Sequence, residues 1–247
     1  MPRFFLLRAN IDGRRGIISG AELDHLSKVS RLRPGDSITV FDDEGWEHRA
    51  VVRVLTSELG EIEIQDSYRA ARESPLPITL ALGLTKGDKM DFVVEKATEL
   101  GVHTIVPFTS EFTVPKLDAR KIAQRTERWR KIALSAAKQC GRTRVPNIEP
   151  LTPYAVLLSG APVQGELRLL FWEKENARTL DRVHAEQKQV SAMTVVVGAE
   201  GGFSAKEVDQ AVQQGILAVG LGPRILRAET AAVTVLALVQ FLWGDLS

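Results

Sequence analysis

The residues of this 247-residue chain best suited to chemistry fall in two short segments. The first, Val195-Val196-Val197-Gly198-Ala199-Glu200-Gly201-Gly202-Phe203-Ser204, runs from an apolar strand into the start of a helix. Glycines let backbone approach a ligand closely, and the first turn of a helix leaves N–H donors free. The second, Leu221-Gly222-Pro223-Arg224-Ile225-Leu226-Arg227-Ala228-Glu229-Thr230-Ala231, carries two arginines, a glutamate and a threonine within seven residues. Capping a helix needs only one such polar residue, and the helix macrodipole disfavours cations at an N-terminus. Polar groups set against local preference mark a site. The plainer alternatives are a strand–turn–helix connection for the first segment and a charged helix start for the second. On the residues alone both stay open.

Ligands of α/β sheets bind at the carboxyl ends of strands, so the placement fits a nucleotide-like cofactor. Two phosphate-binding loops are excluded. A G-x-x-x-x-G-K-[ST] loop needs a lysine where Phe203 follows Gly202. A G-x-G-x-x-G turn needs glycine where Glu200 stands, and an acid there argues against cradling a pyrophosphate.

The elements around these loops alternate. Residues 78–84, 103–108, 166–172, 193–197 and 216–221 read as strands, and 88–100, 118–140, 204–215 and 228–243 as helices. Gly101 and Gly141 follow two of those helices, and Ser204 with Glu207 forms a capping box. Such alternation, with apolar strands, predicts a mainly parallel sheet covered by helices on both faces. The first seventy residues differ. Ser37–Phe41, Glu47–Leu55 and Gly60–Asp66 are short, β-branched runs separated by turn residues. One helix is expected among them, opened by a second S-x-x-E box at Ser19 and Glu22, with Leu23, Leu26 and Val29 on its buried face. Pro75 and Pro77 mark the linker. The expected domains are 1–72, a small β-barrel, and 73–247, the α/β domain.

Composition is that of a globular protein, with 44% hydrophobic and 26% charged residues. The single cysteine, Cys140, excludes an intramolecular disulfide. The four histidines are scattered with no pair at ligand spacing, which argues against a metal. No signal peptide and no run of the roughly 18 apolar residues of a membrane span is visible, so a cytoplasmic protein is expected. Net charge is +1, yet the charge is unevenly spread. From Lys116 to Pro146 there are ten basic residues, including Arg125, Arg128, Lys131, Arg142 and Arg144, against Asp118 and Glu127. Ile122, Trp129, Ile132, Ala133 and Ala136 give that helix an apolar stripe and leave the cations outside. Such a stripe is expected to bind phosphates. A solvated face would normally carry both signs.

The pair G-A-E-G-G-F-S and L-G-P-R-I-L-R-A-E-T-A resembles the SPOUT methyltransferase superfamily. Within it the chain resembles the RsmE type, which methylates uridine N3 in small-subunit ribosomal RNA. Lys86-Gly87-Asp88-Lys89-Met90, Lys96-Ala97-Thr98-Glu99-Leu100-Gly101 and Gln139-Cys140-Gly141-Arg142-Thr143-Arg144-Val145-Pro146 are similar to further segments of that family, and the N-terminal part to its PUA-like barrel. The resemblance implies a trefoil-knotted α/β domain that binds S-adenosylmethionine. It implies cofactor contacts at Gly198, Glu200, Gly201, Gly202, Leu221, Gly222, Leu226, Arg227 and Thr230. It also implies RNA contacts from the barrel, with Arg3, Arg8 and Arg31 as candidates, and a homodimer through the C-terminal domain. The partner would be ribosomal RNA or the assembled small subunit. Uridine N3 must lose a proton, so Arg227 or Arg224 is expected to stabilise the anion, and Glu229 or Glu200 to orient it or take the proton. Two positions depart from the family pattern: Ala199 takes a usual proline's place and Phe112 an arginine's. Methylation at another RNA position, such as a ribose 2′-hydroxyl, and a non-catalytic ribosome factor are the alternatives.

Overall fold

The structure is a computed structural model that describes residues 1–113 and 118–246. It divides into two compact units: Met1–Glu73 with Leu134–Val145, and Ser74–Ala133 with Pro146–Ser247. The segment Leu134–Val145, expected with the α/β domain, thus groups with the first unit. Lys116, one of the ten basic residues counted above, lies outside the described residues.

The first unit contains β1 (Arg3–Phe5), β2 (Ile11–Asp12), β3 (Arg15–Ile18), α1 (Gly20–Asp24), β4 (Ser37–Phe41), β5 (Trp46–Leu55) and β6 (Gly60–Arg69). The strands form one sheet in the order β1-β4-β5-β6-β3-β2, antiparallel except for β1 beside β4. It wraps one apolar core in which Phe4, Leu26, Ile38, Val40, Val52 and Ile62 are fully buried. Alternation along β5 and β6 aims every second side chain into that core. The box expected at Ser19 and Glu22 does not form. Ser19 makes no side-chain cap. The Glu22 carboxylate instead accepts from the Phe5 N–H at 3.0 Å and the Lys138 ammonium at 2.7 Å. The helix runs on as a wide π-turn over His25–Val29, and Val29 is exposed. Glu73 holds the segment after the long helix. Its carboxylate accepts from Arg142 Nε (3.0 Å) and Nη2 (2.7 Å) and from the Thr143 and Arg144 N–H groups.

The second unit runs β7 (Ile78–Gly83), α2 (Lys89–Glu99), β8 (Thr104–Thr109), α3 (Ala119–Cys140, whose last turns belong to the first unit), β9 (Asn147–Ile148), β10 (Thr152–Pro153), α4 (Tyr154–Ser159), β11 (Glu166–Phe171), α5 (Leu180–Glu186), β12 (Ala192–Val197), α6 (Ala205–Gln213), β13 (Leu217–Val219) and α7 (Ala228–Trp243). Every pairing in its sheet is parallel, in the order β10-β8-β7-β12-β11-β13 with β9 also on β8. The near-continuous burial of β7, β11 and β12 is the mark of a sheet covered on both faces. Here the Ser204–Glu207 capping box is complete. Phe203 packs with Phe108 and Tyr154, ring centroids 5.7–6.1 Å from it, and so anchors the chain just after the glycine loop. Helix α7 packs on α2 and β12. Its one fully buried polar side chain, Gln240, donates to the Leu100 carbonyl and accepts from the Ser74 hydroxyl. Elements shorter than about two helical turns or three strand residues, such as α4, α5, β9 and β10, carry too little periodicity to be read from sequence.

Where β7 and β12 end, backbone meets backbone. A Cβ on Gly83 would lie 2.3 Å from the Ala199 nitrogen, so no side chain fits between them. Gly83→Ala is expected to cost roughly 1–3 kcal/mol as an overpacked core position. Gly60→Ala, whose added carbon would meet only side chains at 3.5 Å or more, should cost less than about 1 kcal/mol. Thermal unfolding of the two variants checks this; equal midpoints would contradict it.

Candidate active site

Strand β12 enters the sheet between β7 and β11, both of which precede it in sequence. The carboxyl ends at such a crossover bound a natural crevice. A cleft of about 480 Å³ opens there. Lys89 from the start of α2 lines it, with Phe171, Trp172 and Glu173 at the end of β11, Val197–Phe203 at the end of β12, and Leu221, Gly222, Arg224–Ala228 and Ala231 after β13. Both glycine-bearing loops therefore face one cavity. Of the expected cofactor contacts, Gly198, Glu200, Gly201, Gly202, Leu221, Gly222, Leu226 and Arg227 line it. Thr230 does not; it is exposed on the first turn of α7.

Charge is arranged by one lysine. Glu200 Oε1 accepts from the Lys86 N–H at 3.0 Å and from Lys89 Nζ at 3.1 Å. Lys89 Nζ is also 3.5 Å from Glu229 Oε2. That oxygen is buried and, among the described residues, accepts no hydrogen bond. Partial burial pushes the Glu200 pKa up. The Lys86 N–H, its own N–H and the Lys89 ammonium outweigh this and leave it below its ordinary 4.5. Lys89 is pushed above its ordinary value, chiefly by its hydrogen bond to Glu200. Glu200 is thus a charged, doubly engaged carboxylate, which organises the loop better than it could take a proton.

Arg224 and Arg227 line the same cavity and are exposed. Arg227 is the N-cap residue of α7 and gives no side-chain cap. Among the described residues neither guanidinium has an ion pair or side-chain hydrogen bond. Two unpaired guanidiniums at a cleft are free to meet an anion. Phe112 leans over the glycine loop, where a Cβ on Gly201 would come within 2.5 Å of the Phe112 Cβ. The loop bearing Phe112 is docked by the Glu111 N–H on Glu207 Oε1 at 2.8 Å. Ala199 is buried beside Gly83.

The residues expected to touch RNA divide. Arg8, Arg31, Arg128, Lys131 and Arg144 are exposed and Arg125 is partly so. Arg128 is paired with Asp91 at 2.6 Å, and Arg144 donates to the Glu44 carbonyl at 3.4 Å. Arg142 is buried on Glu73. Arg3 is held by Glu47 and by the carbonyls of Gly141 and Arg142. Those two arginines build the first unit and present little charge to solvent. Sequence reasoning missed Lys89, Trp172 and Glu173 as site residues. The signal for Trp172 and Glu173 was position, directly after a strand whose carboxyl end faces the cleft, and for Lys89 its place at the start of the helix that follows β7. Among the described residues no helix is long and apolar enough to cross a membrane, and no three His, Cys, Asp or Glu are grouped to hold a metal.

Comparison with known proteins gives this geometry its class. The model of the RNA methyltransferase domain family matches residues 72–240, so the parallel sheet and its loop-built cleft are an RNA methyltransferase domain. A ribosomal RNA small subunit methyltransferase E from Bacillus subtilis is 31% identical over 227 residues, covering 91% of this chain and 89% of that one. One from Aquifex aeolicus is 37% identical over 231 residues, covering 92% and 96%. The crystal structure of the Neisseria gonorrhoeae methyltransferase E, bound to S-adenosyl methionine, is 37% identical, covers 100% of both chains and superposes with a TM-score of 0.91. The chain belongs to the ribosomal RNA small subunit methyltransferase E family.

The Lys89 bridge makes a prediction. A carboxylate whose folded pKa is depressed adds stability above its unfolded value, here about 4.5, and loses it as pH falls through the folded value. In Lys89→Met the burial that raises the Glu200 pKa remains, while the lysine's opposing pull is gone. The Glu200 pKa, followed by carboxyl ¹³C NMR, should therefore rise. An unchanged value would show that Lys89 does not govern this carboxylate.

Proposed function

We propose that this chain transfers a methyl group from S-adenosylmethionine to N3 of a uridine in small-subunit (16S) ribosomal RNA, in the cytoplasm. The observation that carries the reading is one cleft in which two glycine-bearing loops meet two arginines that are unpaired among the described residues. The residues fit the cofactor. Backbone groups of Gly198, Gly201, Gly202, Leu221, Gly222 and Leu226 can address an adenosyl group, and Phe171 and Trp172 supply apolar wall. Glu173, Glu200 and Glu229 lie at or next to the cleft, and carboxylates suit a cationic sulfonium. When bound, the cofactor supplies an electrophilic methyl group.

The protein must then make N3 a nucleophile. That atom lies on the pairing edge and carries a proton, so the base must be unpaired or flipped out. Arg227, with Arg224 beside it in the same loop, stabilises the anion left when the proton departs. Glu200 is committed to Lys86 and Lys89 and orients the loop. Of the two expected carboxylates this leaves Glu229 for the proton: its Oε2 lies 3.5 Å from Lys89 Nζ and, among the described residues, accepts no hydrogen bond. The exposed cations Arg125 and Lys131 on α3, and Arg8, Arg31 and Arg144 in the first unit, contribute phosphate contacts that hold the RNA. The first unit serves as the RNA-binding domain and the second as the methyltransferase domain.

We extend the proposal to a homodimer through the second unit. Helix α7 buries Ala232, Val235, Leu236 and Val239 yet leaves Phe241 58% and Leu238 38% exposed, which one solvated helix face does not need.

Nucleoside mass spectrometry of 16S ribosomal RNA tests the activity. Deleting the gene should remove 3-methyluridine. Restoring it with Arg227→Ala should fail by at least about 100-fold in rate, the scale of a lost anion-stabilising donor, while calorimetry still detects cofactor binding. A missing ribose methylation in its place, or full activity of the variant, would overturn the assignment. Sedimentation at micromolar concentration should give a dimer, and a monomer would overturn that part.

A further inference from the structure

The first unit holds a second cleft, of about 240 Å³, lined by Arg8, Ile11, Asp42, Trp46, His48 and Ser67 among others. Its polar floor is incompletely bonded. Asp42 Oδ1 closes the β4–β5 turn by accepting the N–H groups of Glu44 at 2.9 Å and Trp46 at 3.1 Å. Asp42 Oδ2 has no hydrogen-bond partner among the described residues, and neither has His48 Nε2. The two atoms lie 3.6 Å apart, beyond a hydrogen bond. Both side chains are more than nine-tenths buried, with 0% and 6% of their area exposed. The other imidazole nitrogen, Nδ1, is 2.8 Å from Ser67 Oγ, which fixes the ring. Burial lowers the His48 pKa, against the pull of the neighbouring Asp42. Buried polar atoms are nearly always satisfied, so two unpaired atoms on residues that line a cleft invite a donor from outside.

The walls suit a flat, aromatic donor. Trp46 lines the cleft, and the Arg69 guanidinium covers one face of its ring, 5.2 Å from the centroid, so a base would stack on the other. Arg8 is exposed at the cleft, a cation placed for a phosphate. The volume lies below the roughly 300–1,000 Å³ of drug-sized sites, which fits one base. We propose that this cleft is a nucleobase site, in which an unpaired base of bound RNA stacks on Trp46 and directs an N–H donor at Asp42 Oδ2 and His48. It is separate from the methyl-transfer cleft and rests on the reading of this chain as an RNA enzyme. It would read a nucleotide other than the one methylated, and so add sequence preference to contacts that otherwise only hold phosphates.

The test uses the full chain and the four nucleoside 5′-monophosphates, titrated singly while the Trp46 indole N–H is followed by NMR. Its signal is identified by its loss in Trp46→Phe. At least one nucleotide should shift the signal saturably. Asp42→Asn keeps an oxygen for the turn while placing an amide donor where Oδ2 accepted. It should weaken that nucleotide at least about tenfold, the scale of one lost charge-assisted hydrogen bond. No saturable shift of the unaltered protein up to about 20 mM, far weaker than a useful contact, would overturn the proposal. So would a shift reproduced by inorganic phosphate alone, or one that Asp42→Asn leaves unchanged. Titration of the unaltered protein with S-adenosylmethionine is read separately. Failure there, with the nucleotide shift intact, would count against the methyltransferase reading and not against this site.

Discussion

The cleft depends on one steric constraint, the contact of two backbones where β7 and β12 end. Gly83 lies so close to the Ala199 nitrogen that even a methyl group has no place. Two parallel strands that finish in register at this distance hold their following loops side by side. The loop after β12 can then lay its own backbone open to a ligand. Phe203 fixes the far end of that loop in the core with Phe108 and Tyr154, and the Ser204–Glu207 box starts α6 directly after it. A glycine-rich segment loses much conformational freedom on folding. Here both of its ends are pinned, by backbone contact at Gly83 and by the Phe203 packing and the Ser204–Glu207 box.

Electrostatics then assigns roles to side chains of similar type. Lys89 stands between Glu200 and Glu229, and with the Lys86 N–H it holds Glu200 charged and occupied. Arg224 and Arg227 have no such partners among the described residues. One cation is therefore paired within the protein, and two are not. The same division runs through the first unit, where Arg142 and Arg3 are consumed by Glu73 and Glu47 while Arg8 and Arg31 stay exposed. Counting basic residues along a sequence cannot separate these classes. Pairing depends on acids that are distant in the chain, as with Glu73 and Arg142, 69 residues apart.

The two S-x-x-E segments show how far local chemistry can be read. At Ser204 and Glu207 the reciprocal cap forms, because nothing else competes for the serine and Glu207 can serve Glu111 with its other oxygen. At Ser19 and Glu22 the same letters give no cap. The Phe5 N–H of an adjacent strand and the Lys138 ammonium take the carboxylate instead. The long strands and helices were legible because apolar spacing repeats over enough residues to be distinctive. The short strands β1, β2, β9 and β10 were not, since pairing partners, and not their own letters, make them strands. In the site, the two loops were visible through glycines and misplaced arginines. Lys89, Trp172 and Glu173 were hidden, because a residue gains its place in a cleft from strand order.

By itself the sequence determined the strand–helix alternation, the parallel class of the sheet, and the two loops as a site. Those are properties of local spacing and of backbone freedom at named residues. Its likeness to a known family gave the cofactor and target class, which the comparisons then supported. Only the tertiary structure decided that β12 inserts between β7 and β11 and so brings both loops to one cavity. It alone showed which arginines are unpaired among the described residues, that Glu200 is engaged by Lys89, and that Asp42 and His48 each keep an unpaired polar atom in the first unit. The physical reason is one and the same. Hydrogen bonds and ion pairs fall off within a few ångströms, so they are settled by which distant segments folding makes neighbours.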